Sequence, residues 1–215
     1  MNFKKAIFHT ILFIFLLEII GLWILFIPDE IKFIGLIKAF HLFDSVITLI
    51  LIVFISKSVK QFDILKFNKT EPKYYLIAIA CGIGFVFFQS ILNLAYYQEI
   101  QFNYELTFDR LTSLSVIASI IFIPITEELF FRNYILSGLM KNYNPTKAII
   151  LSSLLFASIH IPLVSLFYEF MDFSFNHAYI TMFGGLISGI LFYKTKSIIP
   201  SIIFHTFWNF TSYII

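Results

Sequence analysis

Long apolar stretches separated by short polar segments make up most of the chain. Because a helix rises about 1.5 Å per residue, about 20 apolar residues cross the roughly 30 Å core of a bilayer. The pattern predicts about seven such spans, over residues 6–27, 39–56, 74–97, 111–139, 148–167, 178–193 and 198–214. These stretches are long and do not alternate between apolar and polar residues, as the strands of a barrel do. We therefore expect an all-α fold, a polytopic transmembrane helix bundle.

Charged residues between the stretches predict how this bundle is oriented. Lysines stand before the first stretch and after the second, fourth and sixth, whereas Asp and Glu are concentrated in the alternate connections. Lysine-rich loops stay in the cytoplasm, so we expect a cytoplasmic N-terminus and a C-terminus on the opposite side. Three basic residues weaken the alternation without reversing it, namely Lys32, Lys38 and Arg110.

The composition supports the membrane class and excludes several others. Hydrophobic residues make up 59% of the chain and charged residues 13%, against about 25% charged in soluble domains. A net charge of +2 is too small to predict nucleic-acid binding, and the single cysteine, Cys81, excludes an intramolecular disulfide framework. The first stretch is about twice as long as a signal-peptide core, so we expect it to be a retained span. Richness in Ile, Phe, Lys and Asn is typical of AT-rich bacterial genomes and predicts a bacterial cell membrane.

Three ionisable side chains lie within the fourth apolar stretch, Glu127, Glu128 and Arg132. Each costs about 2.5–3.5 kcal/mol at the middle of a membrane, whereas each Leu, Ile or Phe returns only about 0.3–0.6 kcal/mol. We therefore expect the cluster to face the bundle interior or a water-filled cavity. Glu128 and Arg132 stand at i and i+4 and can pair on one helix face, while Glu127 points elsewhere. The alternative is a cluster at the membrane surface, at the end of a shorter span.

Further polar side chains lie in the fifth and seventh stretches, namely His160, His205 and Asn209. Counted along helices from the cytoplasmic ends, Glu127 lies about 18 Å deep, His160 about 20 Å, His205 about 14 Å and Asn209 about 20 Å. The four groups thus fall within a layer roughly 6 Å thick, whereas independent placement scatters them across about 30 Å of core. This coincidence predicts one shared site.

Such a layer contains the groups for hydrolysis of an amide by water. A carboxylate and an imidazole can remove a proton from a shared water molecule. An imidazole N–H and an asparagine amide can stabilise the resulting oxyanion. The sequence has no Gly-x-Ser-x-Gly motif, and Ser158 precedes His160 by two residues, which is the wrong helix face for a serine nucleophile.

In these residues the chain resembles the CPBP family, which includes the CAAX prenyl endopeptidases and the bacterial Abi proteins. The resemblance covers residues 111 to 213 and suggests a division into N-terminal transmembrane helices without a motif, 1–110, and a CPBP-like catalytic transmembrane core, 111–215. Asn133 stands where many relatives have glycine, which leaves the subfamily open. The motifs are Glu127-Glu128-x-x-x-Arg132, Phe156-x-x-x-His160 and His205-x-x-x-Asn209, with a small-residue helix at Phe183-Gly184-Gly185 and Gly189.

The resemblance implies an intramembrane endopeptidase of the glutamic type. Glu127 would activate the water with help from His160, and His205 and Asn209 would form the oxyanion site. Glu128 and Arg132 would support the structure and electrostatics of the site. The implied partners are a peptide or membrane-protein substrate and the lipid bilayer, with no nucleic acid.

Whether the site uses a metal is a separate question. Glu127, His160 and His205 can in principle form a zinc site with an open position. No His-Glu-x-x-His motif is present, and Asn209 beside His205 fits an oxyanion site better than a ligand shell. We therefore expect no cofactor, with zinc as the alternative.

Two other classes of function stay open at this point. A non-catalytic member of the family would act in bacteriocin immunity or as a scaffold, and would tolerate Glu127→Gln. A transporter would also bury carboxylates and histidines, but it usually shows paired halves, and this sequence has no internal repeat. Glu18 and Asp44 fall at a similar depth of about 20 Å; we favour hydrogen bonds to neighbouring helices over a place in the catalytic cavity.

Overall fold

The structure, a computed structural model, describes residues 1–22, 47, 50, 68–98, 114–161 and 176–214. Within these ranges the chain forms six helices and no strand, which confirms the predicted all-α class. The helices are α1 (Phe3–Leu22), α2 (Pro72–Tyr97), α3, α4 (Pro145–Ser158), α5 (Asn176–Thr195) and α6 (Ile199–Ile214). Helix α3 is continuous and consists of the segments Leu114–Ile117, Ala118–Phe122, Ile123–Glu128, Leu129–Leu136 and Ser137–Leu139.

Most helices lie where the apolar stretches predict them. Helices α2, α3, α5 and α6 correspond to the stretches 74–97, 111–139, 178–193 and 198–214, whereas the stretch 39–56 lies almost entirely outside the described residues. Helix α4 ends at Ser158, so the prediction of a span over 148–167 is wrong for residues 159–161, which form a turn. Pro162 accounts for this end, because a proline disfavours the helical conformation in the residue before it.

Apolar surface is exposed on the outer helices. Among the described residues, one helix is long and apolar enough to cross a membrane, over Pro72–Ala95 in α2. Leu76 and Ile91 of α2 are 68% and 64% exposed, and Phe8 of α1 is 62% exposed. Apolar surfaces of this kind contact lipid or another protein. The count of seven spans and the cytoplasmic N-terminus stay predictions.

Two π-helical segments interrupt α3, Ala118–Phe122 and Leu129–Leu136, on either side of the α-helical segment Ile123–Glu128. A π-helical turn changes the backbone hydrogen-bond pattern, and such turns are frequent at functional sites. A side chain from α4 binds a carbonyl of the second segment, since Oγ of Ser152 donates to the carbonyl of Phe131 at 3.0 Å. The two glutamates of the predicted site therefore lie in the regular segment between two irregular ones.

Glycines allow α6 to pack closely against α2 and α5. A Cβ atom at Gly82 of α2 would lie 2.6 Å from the carbonyl oxygen of Phe204, and one at Gly184 of α5 would lie 2.5 Å from the indole of Trp208. This close approach buries the face of α6 that carries His205.

Helix α1 covers the second π-helical segment of α3. The ring of Phe13 stacks on that of Phe130 at a centroid distance of 4.2 Å. The hydroxyl of Tyr134 is hydrogen-bonded to Nδ1 of His9, and their rings stack at 5.3 Å. His9 thus joins α1 to the helix that carries the glutamates.

Candidate active site

Two adjacent glutamates of α3 flank the imidazole of His205 on α6. Nδ1 of His205 lies 3.1 Å from Oε1 of Glu128, which is a hydrogen-bond distance. Nε2 of the same ring lies 3.9 Å from Oε2 of Glu127. Glu128 and His205 are buried, whereas 13% of the Glu127 side chain is exposed. One carboxylate therefore lies at each ring nitrogen, and one of the two reaches the protein surface.

Arg132 is the cation of this cluster. Its Nε lies 3.0 Å from Oε2 of Glu128, so the predicted i,i+4 pairing is present. The same Nε donates to Oγ of Ser188 at 3.0 Å, and Nη2 donates to the carbonyl of Gly185 at 3.4 Å, both on α5. Because the side chains of Arg132 and Glu128 are each only 1% exposed, removing either would leave a buried charge without its partner.

Phe156 of α4 connects the cluster to the second histidine. The guanidinium of Arg132 lies over the ring of Phe156, with Cζ 4.4 Å from the centroid, as in a cation–π contact. The same ring meets His160 and His205 edge to face, at centroid distances of 4.9 Å and 5.8 Å. Trp208 stacks on His205 at 5.3 Å. Aromatic contacts therefore hold both imidazoles.

Both histidines bind an acceptor through Nδ1. His160 lies in the turn after α4, and its Nδ1 is 2.9 Å from the carbonyl oxygen of Phe156. A carbonyl oxygen only accepts, so Nδ1 of His160 carries the proton and Nε2 of the neutral ring is an acceptor. The carboxylate of Glu128 likewise only accepts while it is ion-paired with Arg132, so Nδ1 of His205 also carries a proton.

Asn209 lies one turn beyond His205 on α6. Its amide nitrogen donates to the carbonyl of Ser119, in the first π-helical segment of α3, at 2.7 Å. An amide nitrogen carries two hydrogens, so a second one can bind another acceptor. Asn209 is thus a contact between α6 and α3 as well as a donor beside the histidine.

A cavity of ≈ 320 Å³ opens beside Asn209, which is one of the residues that line it. Ile123 contributes to its wall and precedes Glu127 by one helical turn, just as Asn209 follows His205 by one turn. The cavity therefore lies one turn away from the Glu127–His205 pair along both helices. Its lining residues are Ser119, Ile123, Asn209, Ser212 and Tyr213.

One buried oxygen of the cluster lacks a partner. Oε2 of Glu127 has no hydrogen-bond partner among the described residues. An unsatisfied buried acceptor costs about 1–3 kcal/mol, so such atoms are rare outside places where water or a ligand binds. With both glutamates ionised and Arg132 charged, the cluster also has one negative charge in excess. A single proton on His205 or Glu127 neutralises it, which lowers the cost of burial.

In the ranges that the structure describes, no three His, Cys, Asp or Glu side chains are grouped so as to hold a metal ion. Glu18 belongs to α1, but its side chain lies outside the described residues, and so does Asp44.

The sequence pattern did not identify Ser188 or Ser119 as parts of this site. Ser188 stands between Gly185 and Gly189 in the predicted small-residue helix. A single hydroxyl among these small residues was the available signal that the helix contacts a polar group. Ser119 contributes a backbone carbonyl, for which the sequence offers no signal.

Residues 109–211 match a family model described as type II CAAX prenyl endopeptidase, Rce1-like. The match includes both glutamates, both histidines and Asn209. Neither a curated protein nor a solved structure matches the chain.

Proposed function

We propose that the chain is an intramembrane endopeptidase using a water molecule activated by Glu127 and His160, as the match of residues 109–211 to the family model of type II CAAX prenyl endopeptidases supports. The observation that carries this proposal is the position of His205 between two carboxylates, 3.9 Å from Glu127 and 3.1 Å from Glu128. Hydrolysis by an activated water molecule requires a base and a donor for the oxyanion at one site, and Glu127 and His205 can supply them.

In this proposal the proton that neutralises the cluster lies on His205 and not on Glu127, so that Glu127 can act as a base. A proton on His205 neutralises the cluster and leaves Glu127 as a carboxylate. The protonated ring donates from Nδ1 to Glu128 and presents Nε2–H to a substrate. The 3.9 Å between Nε2 and Oε2 of Glu127 exceeds the roughly 2.7–3.2 Å of a direct hydrogen bond, so a third atom can bind beside both.

The reaction then proceeds without a covalent intermediate. Glu127 takes a proton from the water, whose oxygen attacks the carbonyl carbon, while Nε2 of His160 accepts the other water hydrogen. The carbonyl oxygen becomes an oxyanion and is bound by Nε2–H of His205 and the second amide hydrogen of Asn209. The proton passes from Glu127 to the leaving nitrogen as the C–N bond breaks, and the products are an amine and a carboxylic acid.

The setting of the proposed reaction is a membrane. Exposed apolar side chains on α1 and α2 support an integral membrane protein. The proposal also includes about seven spans, a cytoplasmic N-terminus and a bacterial cell membrane, which are predicted from the sequence alone. The substrate class is a membrane-associated peptide or protein. The cavity beside Asn209 supports entry of an extended segment, since the hydroxyl and amide groups of its wall can bind backbone amides.

Comparative peptidomics of membranes tests this function. Membranes containing the wild-type protein, Glu127→Gln or Glu71→Gln are compared, with and without a chelator. Glu71 is a matched control, because its side chain is 66% exposed and pairs with Lys73 away from the site. We expect peptides common to the wild type and Glu71→Gln that are missing with Glu127→Gln and unaffected by the chelator.

Other outcomes have defined meanings. Unchanged peptides with folded Glu127→Gln contradict the proposed hydrolysis, and loss of peptides with the chelator alone favours a zinc site. Bacteriocin protection that persists in Glu127→Gln, without any cleavage product in the wild type, favours the non-catalytic alternative.

A further inference from the structure

Ser188 is not one of the motif residues on which the family resemblance rests, yet its hydroxyl contacts both Glu128 and Arg132. It is fully buried on α5. The glycines on either side allow α5 to approach α4, since a Cβ at Gly185 would lie 3.1 Å from Cβ of Ser153 and one at Gly189 would lie 3.0 Å from Ile149. This approach places the hydroxyl of Ser188 against α3.

The hydroxyl of Ser188 contacts both members of the buried ion pair. It donates to Oε2 of Glu128 at 2.5 Å and accepts from Nε of Arg132 at 3.0 Å. A hydroxyl has one hydrogen and two lone pairs, so these contacts are simultaneous. The backbone of Ser188 is also held, because Oγ of Ser201 on α6 donates to its carbonyl at 2.9 Å.

Each of the two oxygens of Glu128 therefore has its own contacts. Oε2 accepts from Ser188 and lies 3.0 Å from Nε of Arg132 in the ion pair, which leaves Oε1 to accept from Nδ1 of His205 at 3.1 Å. Arg132 alone contacts Oε2 from one direction, and the hydroxyl supplies a second contact from another helix. The carboxylate is therefore fixed against rotation.

We propose that Ser188 is a positioning residue, which holds Glu128 so that Nδ1 of His205 stays protonated and its Nε2 faces Glu127. The consequence for catalysis rests on the proposed function, whereas the hydrogen-bond geometry does not. Loss of the hydroxyl weakens the Glu128–His205 hydrogen bond without removing any group that touches a substrate.

Nuclear magnetic resonance of the full chain in lipid bilayers, with histidine ring nitrogens labelled, tests the geometry without a substrate. The resonances of His205 are identified by their loss in His205→Gln. We expect a protonated Nδ1 whose hydrogen exchanges slowly with deuterated solvent, and exchange about 10- to 100-fold faster in Ser188→Ala. Ser153→Ala is the control, because this buried hydroxyl donates only to the carbonyl of Ile149 in its own helix, and it should match the wild type.

An unprotonated Nδ1 in the wild type, or equal exchange in Ser188→Ala, overturns the proposal. Should Ser188→Ala not fold, Ser188→Cys, a weaker donor, replaces it under the same criterion.

Kinetics then separate positioning from general structure, with a peptide from the Glu127→Gln comparison as the substrate. Ser188→Ala should lower kcat about 10- to 100-fold with KM unchanged. In a protein that already carries Glu128→Gln, Ser188→Ala should lower kcat less than about twofold further, because both substitutions act through one contact. Full additivity of the two changes contradicts the proposal. If no peptide is found, the exchange measurement still decides the role of Ser188, while the proposed function fails.

Discussion

The amide nitrogen of Asn209 donates to the carbonyl of Ser119 at 2.7 Å and joins α6 to the first π-helical segment of α3. The contact holds the helix that carries His205 at a fixed level against the helix that carries Glu127. Asn209 therefore has two roles in the account: one amide hydrogen positions the helices, and the other is available to an oxyanion.

Replacement of Asn209 should impair catalysis more than folding. Asn209→Asp keeps the shape but cannot donate, and it places a carboxylate against the carbonyl of Ser119. We expect kcat to fall about 10²- to 10³-fold in Asn209→Ala and at least as far in Asn209→Asp, as for loss of an oxyanion donor. Ser90→Ala, which removes a hydroxyl bound within α2, is the control for peptide cleavage. Wild-type cleavage by Asn209→Asp would remove Asn209 from the mechanism.

The buried ion pair makes a prediction about stability. Arg132→Met leaves Glu128 without its cation and should destabilise the fold by about 3–5 kcal/mol. Adding Glu128→Gln removes the unpaired charge and should restore much of the thermal stability, but not the cleavage, because the negative charge that stabilises a protonated His205 is lost. The unfolding temperatures of the wild type, Arg132→Met and the double variant in detergent check this prediction. A double variant no more stable than Arg132→Met argues against a charge effect.

Two glycines of α2 form a matched pair for helix packing. A Cβ at Gly82 meets the backbone of α6 at Phe204, whereas a Cβ at Gly84 meets nothing within 4 Å. Gly82→Ala should therefore destabilise the protein by about 1–3 kcal/mol. Gly84→Ala should be neutral or stabilising by up to about 1 kcal/mol, from helix propensity. Equal unfolding temperatures for the two variants are incompatible with the described contact between α2 and α6.

The serine inside the second motif, Ser158, should be dispensable. Oγ of Ser158 donates to the carbonyl of Leu155 in its own helix at 2.7 Å. We expect Ser158→Ala to cleave the same peptides at a rate within about twofold of the wild type, since it removes only a helix-internal hydrogen bond. Inactivity of a folded Ser158→Ala protein would point to a serine nucleophile instead.

The sequence predicted the parts of the site that depend on spacing within one helix. Glu128 and Arg132 pair at i,i+4 as expected, and the apolar stretches located most of α2, α3, α5 and α6. These relationships follow from the helical repeat and need no knowledge of the neighbours.

Relationships between helices were beyond that kind of reasoning. The depth of a residue along a helix axis does not say which neighbouring helix its side chain faces. The sequence pattern therefore did not predict the contacts of Ser188 with Glu128 and of Asn209 with Ser119. The end of α4 before His160 was missed because apolar residues continue past it, although Pro162 was the available signal.

The central claim is that a water molecule, activated by Glu127, cleaves the peptide bond directly. Its most direct test is a single turnover of the purified protein in lipid vesicles, with a peptide from the membrane comparison and hydroxylamine, which converts an acyl-enzyme into a hydroxamate. We predict a product with a free carboxyl group and no hydroxamate, and we predict that Glu127→Gln gives no product while Glu71→Gln matches the wild type. A hydroxamate product, or full cleavage by Glu127→Gln, would contradict the account.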